Sequence, residues 1–267
     1  MGEMDIAPFR LRPEEYASFF SQYASVSPLL VTDYDGTLAP FRKERLKAFP
    51  EPKTWSLLKS ICDSNARLVV LSGRGSEEVF KLLSLPVEIW GCHGMERRSV
   101  SGEIIRIDVP KEAVEKLERF SLLLDVFPKN SVEKKPSGIA LHWRDNESNL
   151  EMYKKISGEI ISSAKENALR VISFDGGIEF MLSFFSKGTA LQNICNDNKD
   201  SRPICYLGDD ITDEDAFKTI KNVAGGVGIL VFERERESAA DISIHNSEIN
   251  KFLEFWLNNM AVKRTEY

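Results

Sequence analysis

An apolar run from Leu29 leads directly into two carboxylates, Asp33 and Asp35, in the string LLVTDYDGTL at residues 29–38. A continuous run of this length, bounded by Gly36, suits a strand covered on both faces, as at the centre of a parallel sheet. Ligands of such sheets gather at the carboxyl ends of the strands, where Asp33 and Asp35 fall. Asp-Gly is also an ordinary turn pair with solvated carboxylates, so the meaning of this stretch depends on the rest of the chain.

The same rhythm recurs on either side of it. Residues 10–24 read as an amphipathic lead-in helix before the first strand, and 53–65 as a helix with Trp55, Leu58 and Ile61 on one face. A strand over 67–71 closes on Ser72, Gly73 and Arg74, and a helix starts near Ser76, whose hydroxyl is placed to cap it. A third strand over 87–92 ends in the loop His93, Gly94, Met95, Glu96. Strand, helix, strand, helix, strand at short spacing predicts a parallel sheet with right-handed crossovers.

Between residues 110 and 183 the order changes to helix, strand, strand, helix, strand, strand, with Asp175, Gly176 and Gly177 as a hairpin turn. The α/β rhythm then resumes with a helix from Gly188, a strand over 204–207, a helix from Asp213, a strand over 226–231 and a last helix over 248–258. The fold class expected is therefore α/β, a Rossmann-like parallel-sheet core with an inserted α+β cap. The boundaries expected are 1–109 and 184–267 for the core and 110–183 for the cap.

Four polar clusters fall at strand ends or helix starts of that core. In the first, Asp33 can take a phosphoryl group as an aspartyl-phosphate, and Asp35 can act as general acid and then base. In the second, Ser72, Gly73 and Arg74 offer a hydroxyl and backbone amides to a phosphate, though the same residues make an ordinary turn. In the third, Lys187 precedes a helix, a position the helix dipole disfavours for a cation unless an anion is near. A solvated lysine would read alike. The fourth is GDDITDED at 208–215, where Asp213 to Asp215 also suit an ordinary first helical turn. Asp209 ends an apolar strand and needs a partner if buried. A phosphate among Asp33, Asp35, Asp209 and Asp213 would be repelled without a divalent cation, and oxygen ligands beside phosphate point to Mg²⁺. Its ligands would be Asp33, Asp209, a backbone carbonyl at Asp35, and Asp213.

Charge and composition remove other classes. A formal net charge of −6 with no basic stripe gives no reason to expect nucleic acid or an anionic membrane as partner. No stretch reaches the length of a membrane span, and the first ten residues lack an apolar signal core. Cys62, Cys92, Cys195 and Cys205 show no CxxC spacing and read as reduced packing residues of a cytoplasmic protein. The chain is taken as a monomer or weak oligomer acting on a small molecule.

The strings DYDGT, LSGR, SKG and GDDITDED stand in the order and spacing of the haloacid dehalogenase (HAD) phosphatases, which this chain resembles. With DYDGTLAP, GCHGME, EKKPSGIALHWR and GDDITDEDAF it is similar, more closely, to the trehalose-6-phosphate phosphatase family. The resemblance implies a Rossmann-like core, a cap closing over a sugar phosphate, and Mg²⁺-dependent hydrolysis. It implies Asp33, Asp35, Ser72 and Lys187 as catalytic residues and Thr37, Gly73, Arg74 and His93 beside the phosphate. In the cap it implies Glu133, Lys135, His142, Arg144 and Glu179 as sugar-binding residues. His142 and Arg144 alternate with Leu141 and Trp143, so one face is polar, as the solvated face of a small sheet would also be. After its glutamate the family carries an arginine and a proline, whereas this chain has Phe180, Met181 and Leu182. That departure bears on the sugar. Another phosphorylated disaccharide or glycoside, a phosphotransferase or mutase, and a non-catalytic sugar-phosphate sensor are the alternatives.

Overall fold

A computed structural model of the chain describes residues 7–23, 27–42, 44–64, 66–143, 146–174, 176–198 and 202–260. It divides into two compact units, Met1–Ile105 with Ser186–Tyr267, and Arg106–Phe185. In chain order the strands are β1 (Phe9–Arg10), β2 (Leu29–Thr32), β3 (Leu68–Leu71), β4 (Glu88–Gly91), β5 (Glu96–Arg98), β6 (Ile104–Arg106) and β7 (Val132–Lys135). They continue as β8 (Gly138–His142), β9 (Leu169–Phe174), β10 (Gly177–Leu182), β11 (Ile204–Gly208), β12 (Val227–Phe232) and β13 (Ile242–His245). The helices are α1 (Tyr16–Phe19), α2 (Pro52–Asp63), α3 (Ser76–Leu83), α4 (Lys111–Ser121), α5 (Glu147–Glu166), α6 (Lys187–Asp197), α7 (Glu214–Ile220) and α8 (Ile249–Met260).

Among the described residues the larger unit carries a nine-stranded sheet in the order β1-β13-β12-β11-β2-β3-β4-β5-β6. Pairing is parallel from β1 through β4, and β5 then runs antiparallel to β4. Strand β2 is central and all four of its residues are buried. Leu30 packs with Leu58 of α2, Val79 of α3 and Phe252 of α8, while Leu29 and Val31 pack with Leu191 of α6 and Phe217 of α7. Alternate side chains thus feed two cores, which is why the run is apolar without interruption.

The lead-in helix expected over 10–24 does not form as one element. Pro13 opens a 3-10 turn, α1 is a single turn, and a second 3-10 turn lies at Ser21–Tyr23. Tyr16, Phe20 and Tyr23 are buried, and the Tyr16 and Phe20 rings pack against Phe252, so contact with α8 decides this segment's path. The helix α3 is not capped by Ser76. Gly75 is the cap residue, and the Ser76 hydroxyl and N–H both donate to Glu96, at 3.0 and 2.6 Å. The expected parallel sheet gains one antiparallel strand, β5, and β1, β6 and β13, at two to four residues, carry too little periodicity to read from sequence.

The second unit holds a four-stranded antiparallel sheet in the order β7-β8-β10-β9. Register places Glu133 opposite Ala140 and Ala140 opposite Glu179, so these three share a face with Lys135 and His142. The opposite face is apolar: Phe180 stacks against Phe120 of α4 with ring centroids 4.8 Å apart, and Ile160 and Ala164 of α5 are buried. Arg144 and Asp175 lie outside the described residues.

Candidate active site

Strand β2 delivers the site. The N–H of Asp33 donates to the Leu207 carbonyl at 2.8 Å, extending the β2–β11 ladder one residue past the strand and bringing Asp33 beside the end of β11. The chain then turns tightly: Leu38 and Ala39 donate to the Tyr34 carbonyl, and Gly36 donates to Ala39 at 2.8 Å. Gly36 has φ +78°, and a Cβ there would lie 2.0 Å from Asp209 Oδ2. No other residue type allows both this backbone and this approach.

Asp33, Lys187, Asp209 and Asp213 form the centre. Lys187, 3% exposed, has its ammonium 2.8 Å from Asp33 Oδ1 and 2.8 Å from Asp213 Oδ1. The anion required for a lysine at a helix start is therefore supplied by the protein. The helix begins at Lys187 itself, one residue earlier than expected, with Ser186 as its N-cap accepting from the Thr189 N–H at 3.0 Å. Asp213 is fully buried and is no solvated first-turn acid. Its Oδ1 also accepts from the Tyr206 hydroxyl, and its Oδ2 accepts from the N–H groups of Asp209 and Asp210 at 3.0 and 3.1 Å. Asp213 thus shapes the loop that presents the Asp209 carboxylate. The Asp210 side chain accepts from the N–H and hydroxyl of Thr212.

Three carboxylates share one ammonium here. Burial, then repulsion from Asp213, pushes Asp33 up to about 8 despite Lys187. Asp209 also stands well above the usual carboxylate range, desolvated and facing Asp33 and Asp213. Burial disfavours the charged form of Lys187, yet Asp213 and Asp33 outweigh it and hold the ammonium well above its ordinary value. Carboxylate oxygens of Asp33, Asp209 and Asp213 lie within 4.8 Å of one another, a spacing that one cation could bridge. Thr37, buried, sets its hydroxyl 3.5 Å from Asp209 Oδ1.

Asp35 is held apart from this cluster. Arg74 donates to both of its oxygens, Nε to Oδ2 at 2.6 Å and Nη2 to Oδ1 at 2.7 Å. Arg74 is itself tied to Glu78 and to the Arg45 carbonyl at 2.9 Å, and Arg45 meets Glu78 through both ends of its guanidinium. Within the phosphate cradle expected at Ser72 to Arg74, the Arg74 guanidinium is engaged by Asp35, Glu78 and the Arg45 carbonyl. The Ser72 N–H donates to the Trp90 carbonyl at 2.8 Å, and the Arg74 N–H donates to Ser72 Oγ at 3.1 Å. Buried His93, at φ +55°, lies against Gly73, where a Cβ would be 2.7 Å from its Nε2.

On the cap sheet, Lys135 donates to Glu179 at 2.9 Å and His142 Nε2 lies 3.1 Å from Glu133 Oε2. Gly138, Ala140 and Gly177 floor the same face, and the Phe174 ring lies 5.4 Å from His142. Sequence reasoning passed over Tyr206, although a tyrosine inside a wholly buried strand signals a hydroxyl that needs a partner. It also passed over Glu78, Arg45 and Arg236, whose roles depend on contacts across the fold.

A parallel sheet with paired acids at the end of β2 and an acidic loop after β11 defines a HAD-like α/β fold. A haloacid dehalogenase-like hydrolase from Bacillus subtilis superposes with a TM-score of 0.56 at 16% identity, covering 86% of this chain and 98% of that one. Within that class the match is narrower. The profile of the trehalose-phosphatase family matches residues 31–248, and the chain belongs to that family. The Mycobacterium leprae trehalose-phosphate phosphatase is 29% identical over 250 residues, covering 85% of this chain and 57% of that protein. This chain therefore spans little more than half of that relative's length. The C-terminal domain of Candida albicans trehalose-6-phosphate phosphatase superposes with a TM-score of 0.78 at 20% identity, over 96% of this chain and 99% of that one.

Proposed function

We propose that the chain is a Mg²⁺-dependent phosphomonoesterase that releases trehalose from trehalose 6-phosphate. The observation that carries this reading is the cluster of buried Asp33, Lys187 and Asp213 with half-buried Asp209, in a member of the trehalose-phosphatase family. A carboxylate oxygen of Asp33 attacks phosphorus, the bond to the sugar oxygen breaks, and Asp35 gives that oxygen its proton. Water then attacks the aspartyl-phosphate, Asp35 takes its proton, and phosphate leaves. Asp35 must release one oxygen from Arg74 to carry that proton, so Arg74 positions the acid and need not touch phosphate. Lys187 anchors Asp33 throughout.

The residues fit a divalent cation. Burial and mutual repulsion make the charged forms of Asp33 and Asp209 costly despite Lys187, a cost that a divalent cation would relieve. Asp33 and Asp209 would hold Mg²⁺ directly, with the Asp35 carbonyl. Asp213, whose oxygens already accept four hydrogen bonds, would support them from behind. Bound there, Mg²⁺ supplies charge neutralisation for the phosphate oxygens.

Sugar recognition falls to Glu133, Lys135, His142 and Glu179, whose charged pairs can exchange for substrate hydroxyls. One observation favours a second reading, the same chemistry on another phosphorylated disaccharide or glycoside. Phe180, Met181 and Leu182 follow Glu179 where the family carries an arginine and a proline, and Met181, on the face of Glu179, is fully buried. Four free cysteines support a reducing, cytoplasmic setting. Among the described residues no helix is long and apolar enough to cross a membrane.

The test is phosphate release from a panel of sugar phosphates, with Mg²⁺ and with a chelator. Preferred hydrolysis of trehalose 6-phosphate that stops on chelation is expected. Preference for another disaccharide phosphate changes only the substrate, whereas binding without turnover makes the chain a sensor and removes the mechanism.

A further inference from the structure

The loop that carries Asp209 is held from two sides. Asp213 gathers the N–H groups of Asp209 and Asp210, and their carbonyls are gathered by a residue from the β12–β13 connection. Arg236 Nη2 donates to the Asp209 carbonyl at 3.2 Å and to the Asp210 carbonyl at 2.9 Å. Its Nη1 meets Glu214 at the start of α7 and the Glu237 carbonyl at 3.0 Å. Glu214 in turn accepts from the Ser238 hydroxyl at 2.8 Å and the Ala239 N–H at 2.7 Å, so the strap is anchored in buried structure.

We propose that Arg236 is a positioning residue for the divalent cation, acting through the Asp209 loop. The inference rests on the reading that Asp33 and Asp209 hold Mg²⁺. With its carbonyls and N–H groups both fixed, the peptide between Asp209 and Asp210 cannot rotate, and the Asp209 carboxylate keeps its direction toward Asp33. Mg²⁺ tolerates little departure from octahedral geometry, so a ligand that swings costs affinity even when every ligand is present. Charge works the other way. A cation removed from beside an acidic cluster raises Mg²⁺ affinity if only the field matters, but Glu214 already compensates Arg236, leaving geometry as the larger effect. Only a forked guanidinium can reach two carbonyls and a carboxylate together.

The experiment titrates Mg²⁺ alone into metal-free full-length protein by calorimetry, using the unaltered chain, Arg236→Ala, Arg236→Lys and Asp209→Asn. Arg236 is partly exposed, at 29% of its side chain, so its removal leaves a folded protein. Arg236→Ala is expected to bind Mg²⁺ roughly tenfold more weakly. Arg236→Lys should recover part of that loss, and at saturating Mg²⁺ the KM for substrate should not move. An unchanged Mg²⁺ constant with a lowered Tm makes Arg236 a purely structural strut and overturns the proposal. Tighter binding by Arg236→Ala overturns it too, because the field would then outweigh geometry. If the unaltered chain binds no Mg²⁺, or Asp209→Asn binds as well as the unaltered chain, the metal reading itself fails.

Discussion

The two charged regions of this protein are built on opposite terms. In the larger unit Lys187 pairs with buried Asp33 and Asp213, half-buried Asp209 lies beside them, and burial together with mutual repulsion pushes Asp33 and Asp209 upward. On the cap sheet Lys135 pairs with Glu179 and His142 lies beside Glu133, with the His142–Glu133 pair partly exposed. An unbalanced buried cluster is costly unless a cation or reacting group completes it, which is how a catalytic site differs from a structural ion pair. The partly exposed His142–Glu133 pair can trade its partner for a hydroxyl at less cost than a buried one, which suits the recognition proposed for it. Burial of charge, more than charge itself, separates the region proposed to perform the reaction from the one proposed to choose the substrate.

The sharpest way to break this contrast is Asp33→Asn. Removing the nucleophile should lower kcat by roughly 10⁴-fold or more on both a sugar phosphate and a small aryl phosphate, measured as phosphate release. Substantial residual turnover would mean that another group attacks phosphorus. Next in size is Glu179→Gln, which leaves Lys135 without its carboxylate. It should raise KM for the disaccharide phosphate by about 10- to 100-fold while aryl phosphate hydrolysis stays unchanged, as loss of a charge-assisted hydrogen bond predicts. An equal fall on both substrates would dissolve the distinction between the two regions.

The smallest effect concerns pH. Because Asp33 lies near 8 in the folded chain against 3.8 ordinarily, folding takes up a proton across that interval. Its contribution to stability is complete below 3.8, declines as pH rises and is gone above about 8. The Tm of metal-free protein should therefore fall by a few degrees between about pH 6 and about pH 8, and Asp33→Asn should flatten the slope.

Much of this was legible in the chain because it is local. The both-sided apolar run of β2, the Asp-Gly turn after it, the helix beginning beside Lys187 and the alternation of His142 with Leu141 each arise from neighbours in sequence. What the chain alone left undecided concerns partners far apart along it. Nothing local places the Arg74 guanidinium on Asp35, 39 residues away. Nothing local closes Tyr206 and Lys187 around Asp213. Arg236 gave no local signal.

The reason is that a side chain's type and spacing state what it can donate or accept, while burial and approach state what it does. The sequence by itself determined which strand ends carry carboxylates, and hence the class of chemistry. Only the tertiary structure decided which carboxylate is surrounded by donors, which is clamped by arginine and which is left with charge to spare. Those outcomes depend on desolvation and on contacts that arise only when β2, β11 and α6 come together.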